Sequence, residues 1–344
     1  MDKARPNNAC YVVAEISANH NGSLDAALEL VRLAKTTGAD AVKIQTYTAD
    51  TLTLDSDTEY FRISGGTLWD GTTLYKLYQQ AYTPWEWHAA IFAEARRLGI
   101  DCFSTPFDET AVDFLEQFNP PYHKIASFEL NHHPLLAKVA TTGRPVILST
   151  GMATLKEIEA SVAVLRANGC TDLTLLKCTS SYPAPAEEAN LARIPDMAKR
   201  FGTRVGLSDH TMGIVVPVAA VALGATIVEK HFCRSRQEPG PDSAFSLEPE
   251  EFAEMVRAVR ITTAAVGTAN YDRTAAEEKS IVFRRSIFVA EDLMPGDMLN
   301  ERNLRIVRPG HGLAPEHYGS LLGKRIAVRV ERGTPFSWDM LEKK

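Results

Sequence analysis

Short runs rich in β-branched residues alternate with longer stretches of helical period, and the alternation recurs eight times before about residue 266. The pattern predicts strands at 11–16, 41–46, 100–105, 122–127, 145–150, 173–178, 204–208 and 226–230, each followed by a helix. Over 24–36, Leu28, Val31 and Leu33 join Ala27 and Ala34 on one broad face, and Gly38 supplies the stop. Thr154 with Glu157 three residues on reads as a capping box, and Pro84 stands where a first helical turn tolerates proline. Strands separated by helices must run parallel. Eight such units predict an α/β fold, a closed (β/α)8 TIM barrel, rather than an open doubly wound sheet, whose Gly-rich first turn is missing after 11–16.

Two regions break the repeat. The connection 47–82 is overlong and aromatic, with Tyr60, Phe61, Trp69, Tyr75 and Tyr78, and is expected to be a lid or an oligomer contact. Beyond the barrel, assigned to 1–267, a polar linker (268–283) leads to a small β-rich domain over 284–344. Strands are expected there at 286–289, 303–307 and 325–330, punctuated by Pro295-Gly296 and Arg332-Gly333.

Composition narrows the function classes. Of 344 residues, 45% are hydrophobic and 23% charged, which is ordinary for a globular chain and excludes a disordered or collagen-like one. The net charge of −6, with Lys and Arg scattered, lacks the footprint of a nucleic-acid binder. Five cysteines without a C-x-x-C pair are expected to be reduced and structural. The first ten residues are polar, so no secretory signal is expected and the cytoplasm is the default. The most apolar window, 213–228, is interrupted by Pro217 and Gly224 and too short for a bilayer, so no membrane association is expected.

In a (β/α)8 barrel the strand ends share one mouth, which makes polar residues there candidates for chemistry. They are Glu15, Lys43 with Gln45, Ser104 with Thr105, Lys124 with Ser127 and Glu129, Ser149 with Thr150, Lys177 with Ser180 and Tyr182, Ser208 with Asp209 and His210, and Glu229 with His231. Lysines within buried strands are costly unless paired, so Lys43, Lys124 and Lys177 together predict an anionic substrate. A Schiff-base lyase using Lys124 or Lys177 stays open at this level. His210 and His231 end neighbouring strands, about 4.8 Å apart in a parallel sheet, so both imidazoles can reach one divalent ion, Mn2+ or Mg2+. The competing reading makes them hydrogen-bonded core groups or general bases. His20, directly after the first strand, is a candidate substrate contact; His88, His123, His132 and His133 are read as structural.

The segments Ala14-Glu15-Ile16, Asn19-His20-Asn21-Gly22, Lys43-Ile44-Gln45, Ser104-Thr105-Pro106-Phe107, Lys124-Ile125-Ala126-Ser127, Ser149-Thr150-Gly151-Met152, Ser208-Asp209-His210-Thr211 and Glu229-Lys230-His231-Phe232 resemble the sialic acid synthase family. The resemblance covers essentially the whole chain. It implies a TIM barrel followed by an antifreeze-like (SAF) domain, whose signature loop resembles Arg308-Pro309-Gly310. Ala126-Ser127-Phe128-Glu129 replaces the Gly-Ser-Gly-Glu of the N-acetylneuraminate branch, and Ser180 stands where that branch has Asn. These departures resemble the branch acting on a 2,4-diacetamido-2,4,6-trideoxy sugar.

The implied reaction condenses phosphoenolpyruvate with an open-chain acetamido sugar and water, releasing phosphate. In that scheme Lys43, Lys124, Ser127, Ser180 and Ser208 hold phosphate and carboxylate, with Gln45, Thr105 and Tyr182 assisting. Glu129 transfers the proton of the attacking water, Glu15 binds the metal-side water or the sugar, and Asp242 orients a substrate hydroxyl. Phe61, Phe128 and Trp69 are candidates for an apolar wall against the deoxy carbon. The family also implies a domain-swapped homodimer in which Arg308 reaches the partner's sugar. The readings outside the family are the Schiff-base lyase and a noncatalytic carbohydrate-binding protein.

Overall fold

Eight strands pair in parallel, each with its sequence neighbour, and the last closes on the first. In this computed structural model, which describes residues 9–64, 66, 68–238 and 240–342, they are β1 (Tyr11–Glu15), β2 (Ala41–Thr46), β3 (Asp101–Pro106), β4 (His123–Ile125), β5 (Val146–Ser149), β6 (Leu173–Cys178), β7 (Arg204–Asp209) and β8 (Ile227–His231). The eight expected barrel strands are all present, with ends moved by at most two residues. Such runs are buried almost throughout because helices cover their outer faces and their own side chains fill the lumen.

The helices follow in order: α1 (Leu24–Thr36), α2 (Ala49–Leu52), α3 (Leu74–Ala81), α4 (His88–Leu98), α5 (Glu109–Glu116), α6 (His133–Thr141), α7 (Leu155–Ala167), α8 (Arg193–Phe201), α9 (Val215–Ala222) and α10 (Pro249–Val266). α1 spans 24–36 as its pattern predicts and buries Ala27, Leu30, Val31 and Ala34; Leu28 and Leu33 pack partly buried beside them. Thr154 and Glu157 form the expected capping box of α7, satisfying two otherwise orphaned backbone donors. The connection 47–82 is not a bare loop. It carries α2, a 3-10 turn (Glu59–Phe61) and α3, tied by a bridge between Arg62 and Thr73.

Residues from Thr268 onward form a second unit. The segment expected to be a linker holds a helix, α11 (Ala275–Ser280), started by the capping box of Thr274 and Glu277. β9 (Ser286–Val289) and β10 (Leu304–Val307) pair antiparallel over a core that includes Ile287, Leu293, Leu304, Ile326 and Phe336. The expected strand at 325–330 is absent, replaced by isolated bridges at Arg325, Ile326 and Val330. Ile326, Val328 and Val330 alternate as in a strand, but only Ile326 and Val330 are buried and Val328 faces solvent, so no continuous buried face forms there.

Candidate active site

Alternation along the strands sorts the lumen into two zones. Tyr11, Val13, Ala41, Phe103, Ile147, Leu176 and Ile227 form its apolar floor. One or two pleats farther along the same strands the inward positions become Glu15, Lys43, Gln45, Thr105, Ser149, Cys178, Ser208, Glu229 and His231, and Lys124 faces inward from β4. The polar zone therefore sits at the carboxyl ends of the strands, the functional face of this fold.

Lys43 and Lys124 converge on one carboxylate. Their ammonium groups lie 3.6 and 3.8 Å from Glu229 Oε1, and Lys43 also pairs with Glu15, its register partner on β1. Lys43 donates to Thr105 Oγ1 at 3.3 Å, and Lys124 to Ser149 Oγ at 2.8 Å and the Ile125 carbonyl at 3.1 Å. Burial disfavours both charges. For Lys43 the two carboxylates outweigh burial and hold the ammonium above its usual range, whereas burial and the charge of Lys43 pull Lys124 below it. Oε2 of Glu15 is taken by Lys43, whereas Oε2 of Glu229 is buried without a hydrogen-bond partner, leaving an acceptor for a hydroxyl-rich ligand.

Lys177 does not join this group, contrary to the three-lysine expectation. With Leu176 and Cys178 facing the lumen, the pleat turns Lys177 outward, where it donates to Thr179 Oγ1 and to the carbonyls of Cys178 and Glu188. It lines a cleft of about 290 Å³ with Met152, Glu188, Asn190 and Arg193, among others. A lumen nucleophile at Lys177 is thereby excluded.

The rings of His210 and His231 lie 5.4 Å apart between centroids. His210 Nδ1 is 2.8 Å from the Thr179 carbonyl, an acceptor, so Nδ1 carries a proton. His231 Nδ1 is buried without a hydrogen-bond partner, and the nearest carboxylate oxygen, of Asp242, is 3.5 Å away. Burial, then His210 and Lys43, drives His231 well below its usual range, into the neutral form that a metal ligand needs. Burial disfavours the charge on His210 too, but the Cys178 sulfur and the Thr179 carbonyl outweigh it. Among the described residues no three His, Cys, Asp or Glu side chains enclose a common point, so a divalent ion here would take two nitrogens from the chain and oxygens from substrate and water. The orphaned Nδ1 of His231 fits that donor set, and His210 would add its Nε2 on releasing a proton and its contact with Cys178.

Tyr182 packs 4.3 Å from His210 and 5.8 Å from Trp69, whose indole donates to the Pro241 carbonyl at 3.1 Å. Ser127 and Ser180 share a hydrogen bond of 2.8 Å beside Gly151. At Gly151, with φ of +45°, a Cβ would stand 2.3 Å from Ser127 Cβ and 2.7 Å from Ser180 Oγ, so glycine alone lets the two hydroxyls meet. Ser208 Oγ donates to Glu229 at 3.3 Å. Glu129, in the 3-10 turn Ser127–Glu129, has its carboxyl raised to about 7 by burial, and burial with Glu15 raises Asp242 to about 7. Gln45, Glu129, Tyr182, His231 and Asp242 border a cavity of about 370 Å³ closed by residues of the 47–82 connection. Trp69 and Phe128 line it; Phe61 is not among the lining residues, which corrects its assignment to the wall.

His20 is buried, accepts from the Gly22 amide at 3.2 Å and packs edge-on to Trp87, so its polar capacity is directed at the chain itself. His88 joins Thr46 at 2.7 Å and His123 joins Glu116 at 2.8 Å, as structural groups. Arg308 belongs to the second unit, where it lines an open cleft of about 830 Å³ with Arg285, Arg305 and Tyr318. Sequence reasoning placed Glu229 and Ser149 at the mouth without a role, yet they are the partners of the two lysines. It missed Asp209 and Lys230 as a pair: register partners on the outer face of β7 and β8, they form a buried ion pair behind the two histidines.

A closed eight-stranded barrel with paired imidazoles and two buried lysines sharing carboxylates at its strand ends, followed by a small β-rich unit, has the build of a sialic acid synthase. The chain belongs to the NeuB family, which it matches over residues 30–271, and residues 284–342 match the SAF domain. It is 46% identical to the pseudaminic acid synthase of Campylobacter jejuni over 323 residues, 94% of each chain. It is 43% identical to that of Helicobacter pylori over 333 residues, 96% of this chain and 98% of the relative. Among solved structures, the N-acetylneuraminic acid synthetase of Leptospira borgpetersenii, in complex with citrate, superposes with a TM-score of 0.72 at 30% identity, covering 80% of this chain and 91% of that one. Among the described residues no helix is long and apolar enough to cross a membrane.

Proposed function

We propose that the chain catalyses the pseudaminic acid synthase reaction: phosphoenolpyruvate, 2,4-diacetamido-2,4,6-trideoxy-β-L-altropyranose in its open-chain form and water give pseudaminic acid and phosphate. The observation that carries the reading is the meeting of Lys43, Lys124 and Glu229 with His210 and His231 at one end of the lumen, in a chain this similar to two pseudaminic acid synthases. It is a transferase that forms a C–C bond and breaks a C–O bond.

Lys43 and Lys124, with Ser127, Ser180 and Ser208, bind the phosphate and carboxylate through charge-assisted hydrogen bonds, and Gln45, Thr105 and Tyr182 complete the cradle. His210 and His231 would hold a divalent ion, Mn2+ or Mg2+, whose chemistry is Lewis-acid polarisation of the sugar aldehyde. The enol carbon bonds to the aldehyde carbon. Glu129 accepts a proton from the water that adds to the resulting oxocarbenium carbon, and the tetrahedral adduct expels phosphate. Glu15, paired with Lys43, binds the metal-side water or the sugar, and Asp242 orients a sugar hydroxyl. Arg308 is supplied by the partner of a homodimer. Mixed dimers of Arg308→Ala and His231→Ala chains should then recover activity, and failure to do so would remove the trans contribution.

The test is phosphate release from phosphoenolpyruvate against 2,4-diacetamido and 2-acetamido sugars, with and without EDTA. Release with the altro sugar, abolished by EDTA and restored by Mn2+ or Mg2+, is expected; turnover that survives EDTA and is trapped by borohydride would favour the Schiff-base alternative. Preference for a legionaminic or N-acetylneuraminic acid precursor would reassign the sugar. The Glu129 carboxyl, raised to about 7, is protonated below that pH and ionised above it. As a base it loses competence on acidification, so kcat/KM should fall about tenfold per pH unit below about 7. Glu129→Gln should be slow and flat over that range; a persisting acid limb would assign the titration elsewhere.

A further inference from the structure

We infer that α3 and the rest of the 47–82 connection select a sugar whose terminal carbon is a methyl rather than a hydroxymethyl group, an inference that rests on the reaction proposed above. The roughly 370 Å³ cavity has walls of two origins. Strand ends and the loops after them contribute its carboxylates and its imidazole, Glu129, Asp242 and His231, with Gln45 and the Tyr182 hydroxyl, alongside apolar residues such as Phe107 and Phe128. The connection contributes the aromatic Tyr47, Trp69 and Tyr78 and a patch of Leu52, Ile63, Leu74, Leu77 and Ala81, which offers no side-chain hydrogen bond. Leu74, Leu77 and Ala81 recur at the helical spacing of α3, so one face of that helix fronts the cavity.

C–C bond formation requires the aldehyde carbon to lie at the histidine end. The last carbon of an extended open-chain sugar is its farthest point from the aldehyde, which directs it to the wall supplied by the connection. A methyl group there is removed from water against leucine side chains. A hydroxyl there gives up its hydrogen bonds to water and finds no replacement on Leu52, Ile63, Leu74, Leu77 or Ala81. The wall is held in place by Trp69, which bonds the Pro241 carbonyl, by the edge-on packing of Tyr78 on Tyr47 at 5.7 Å, and by the Thr73 cap of α3.

The experiment compares kcat/KM, by phosphate release, for two 2,4-diacetamido sugars identical except for hydrogen or hydroxyl on the terminal carbon. The unmodified chain is expected to prefer the deoxy sugar about tenfold to a hundredfold. Leu74→Ser and Leu77→Ser, both at partly exposed positions, should each lower that ratio about tenfold, mainly through KM for the deoxy sugar, while Leu77→Met keeps it. Circular dichroism and thermal unfolding verify that each variant is folded. A ratio unchanged in both folded serine variants overturns the inference while leaving the reaction standing. No phosphate release by the unmodified chain with either sugar overturns the reaction, and this inference with it.

Discussion

Replacement of Lys230 by Met is expected to destabilise the barrel by about 3–5 kcal/mol, the cost of breaking a buried ion pair from one side. Lys230 is fully buried; its ammonium binds the Asp209 carboxylate and the Thr211 carbonyl. Among the described residues Asp209 has no other ion-pair partner, only the Thr211 amide at 3.1 Å and hydroxyl at 3.0 Å, so methionine strands its buried charge. Urea unfolding of the single variant should show the loss. The double variant Asp209→Leu with Lys230→Met should regain most of it, because an apolar pair leaves no charge unpaired. A single-variant loss under about 1 kcal/mol would mean that the pair is exposed to water in solution. Since Thr211 follows His210 directly, the same variant should also weaken the hold on the imidazole pair.

Lys124→Met has the opposite profile: a loss of kcat/KM of at least about 100- to 1,000-fold, the scale for removing one donor from a developing anionic centre, with little change in stability. Lys124 shares Glu229 with Lys43, so its removal leaves Glu229 partnered by Lys43 and Ser208 and relieves a like-charge contact. Lys124→Arg should not rescue, because a planar guanidinium does not fit the space between Ser149 Oγ and the Ile125 carbonyl that the ammonium fills. Steady-state phosphate release and thermal unfolding on the same preparations decide the matter. Activity within tenfold of the parent would remove Lys124 from the anion site.

The barrel was legible because its signal is redundant: eight strands announce themselves by β-branched runs, and capping at Thr154 fixes a helix start independently. The facing of single residues was less so. Lys177 and Lys124 look alike in sequence, each a lysine near a strand end, yet one pleat separates inside from outside. The signal that distinguishes them, Leu176 joining the apolar floor and Leu175 the outer layer, depends on register across neighbouring strands. Asp209 and Lys230 were hidden for the same reason, since each abuts a histidine that took the attention and they meet only across β7 and β8. In the small domain 325–330 has the alternation of a strand, Ile326, Val328 and Val330, yet Val328 stays exposed and the segment pairs only through isolated bridges, which no local pattern reveals. Thr274-x-x-Glu277, a capping signature, stood unread in the supposed linker.

The lysines, histidines and carboxylates of the candidate site are fixed on strand ends and the turns just after them, whereas the leucine face of α3 belongs to a single excursion between β2 and β3. Remodelling of that excursion leaves the barrel's pairing register untouched. A lineage can therefore trade one nonulosonic acid for another by drift or recombination within one stretch of chain, keeping the bond-forming apparatus as inherited.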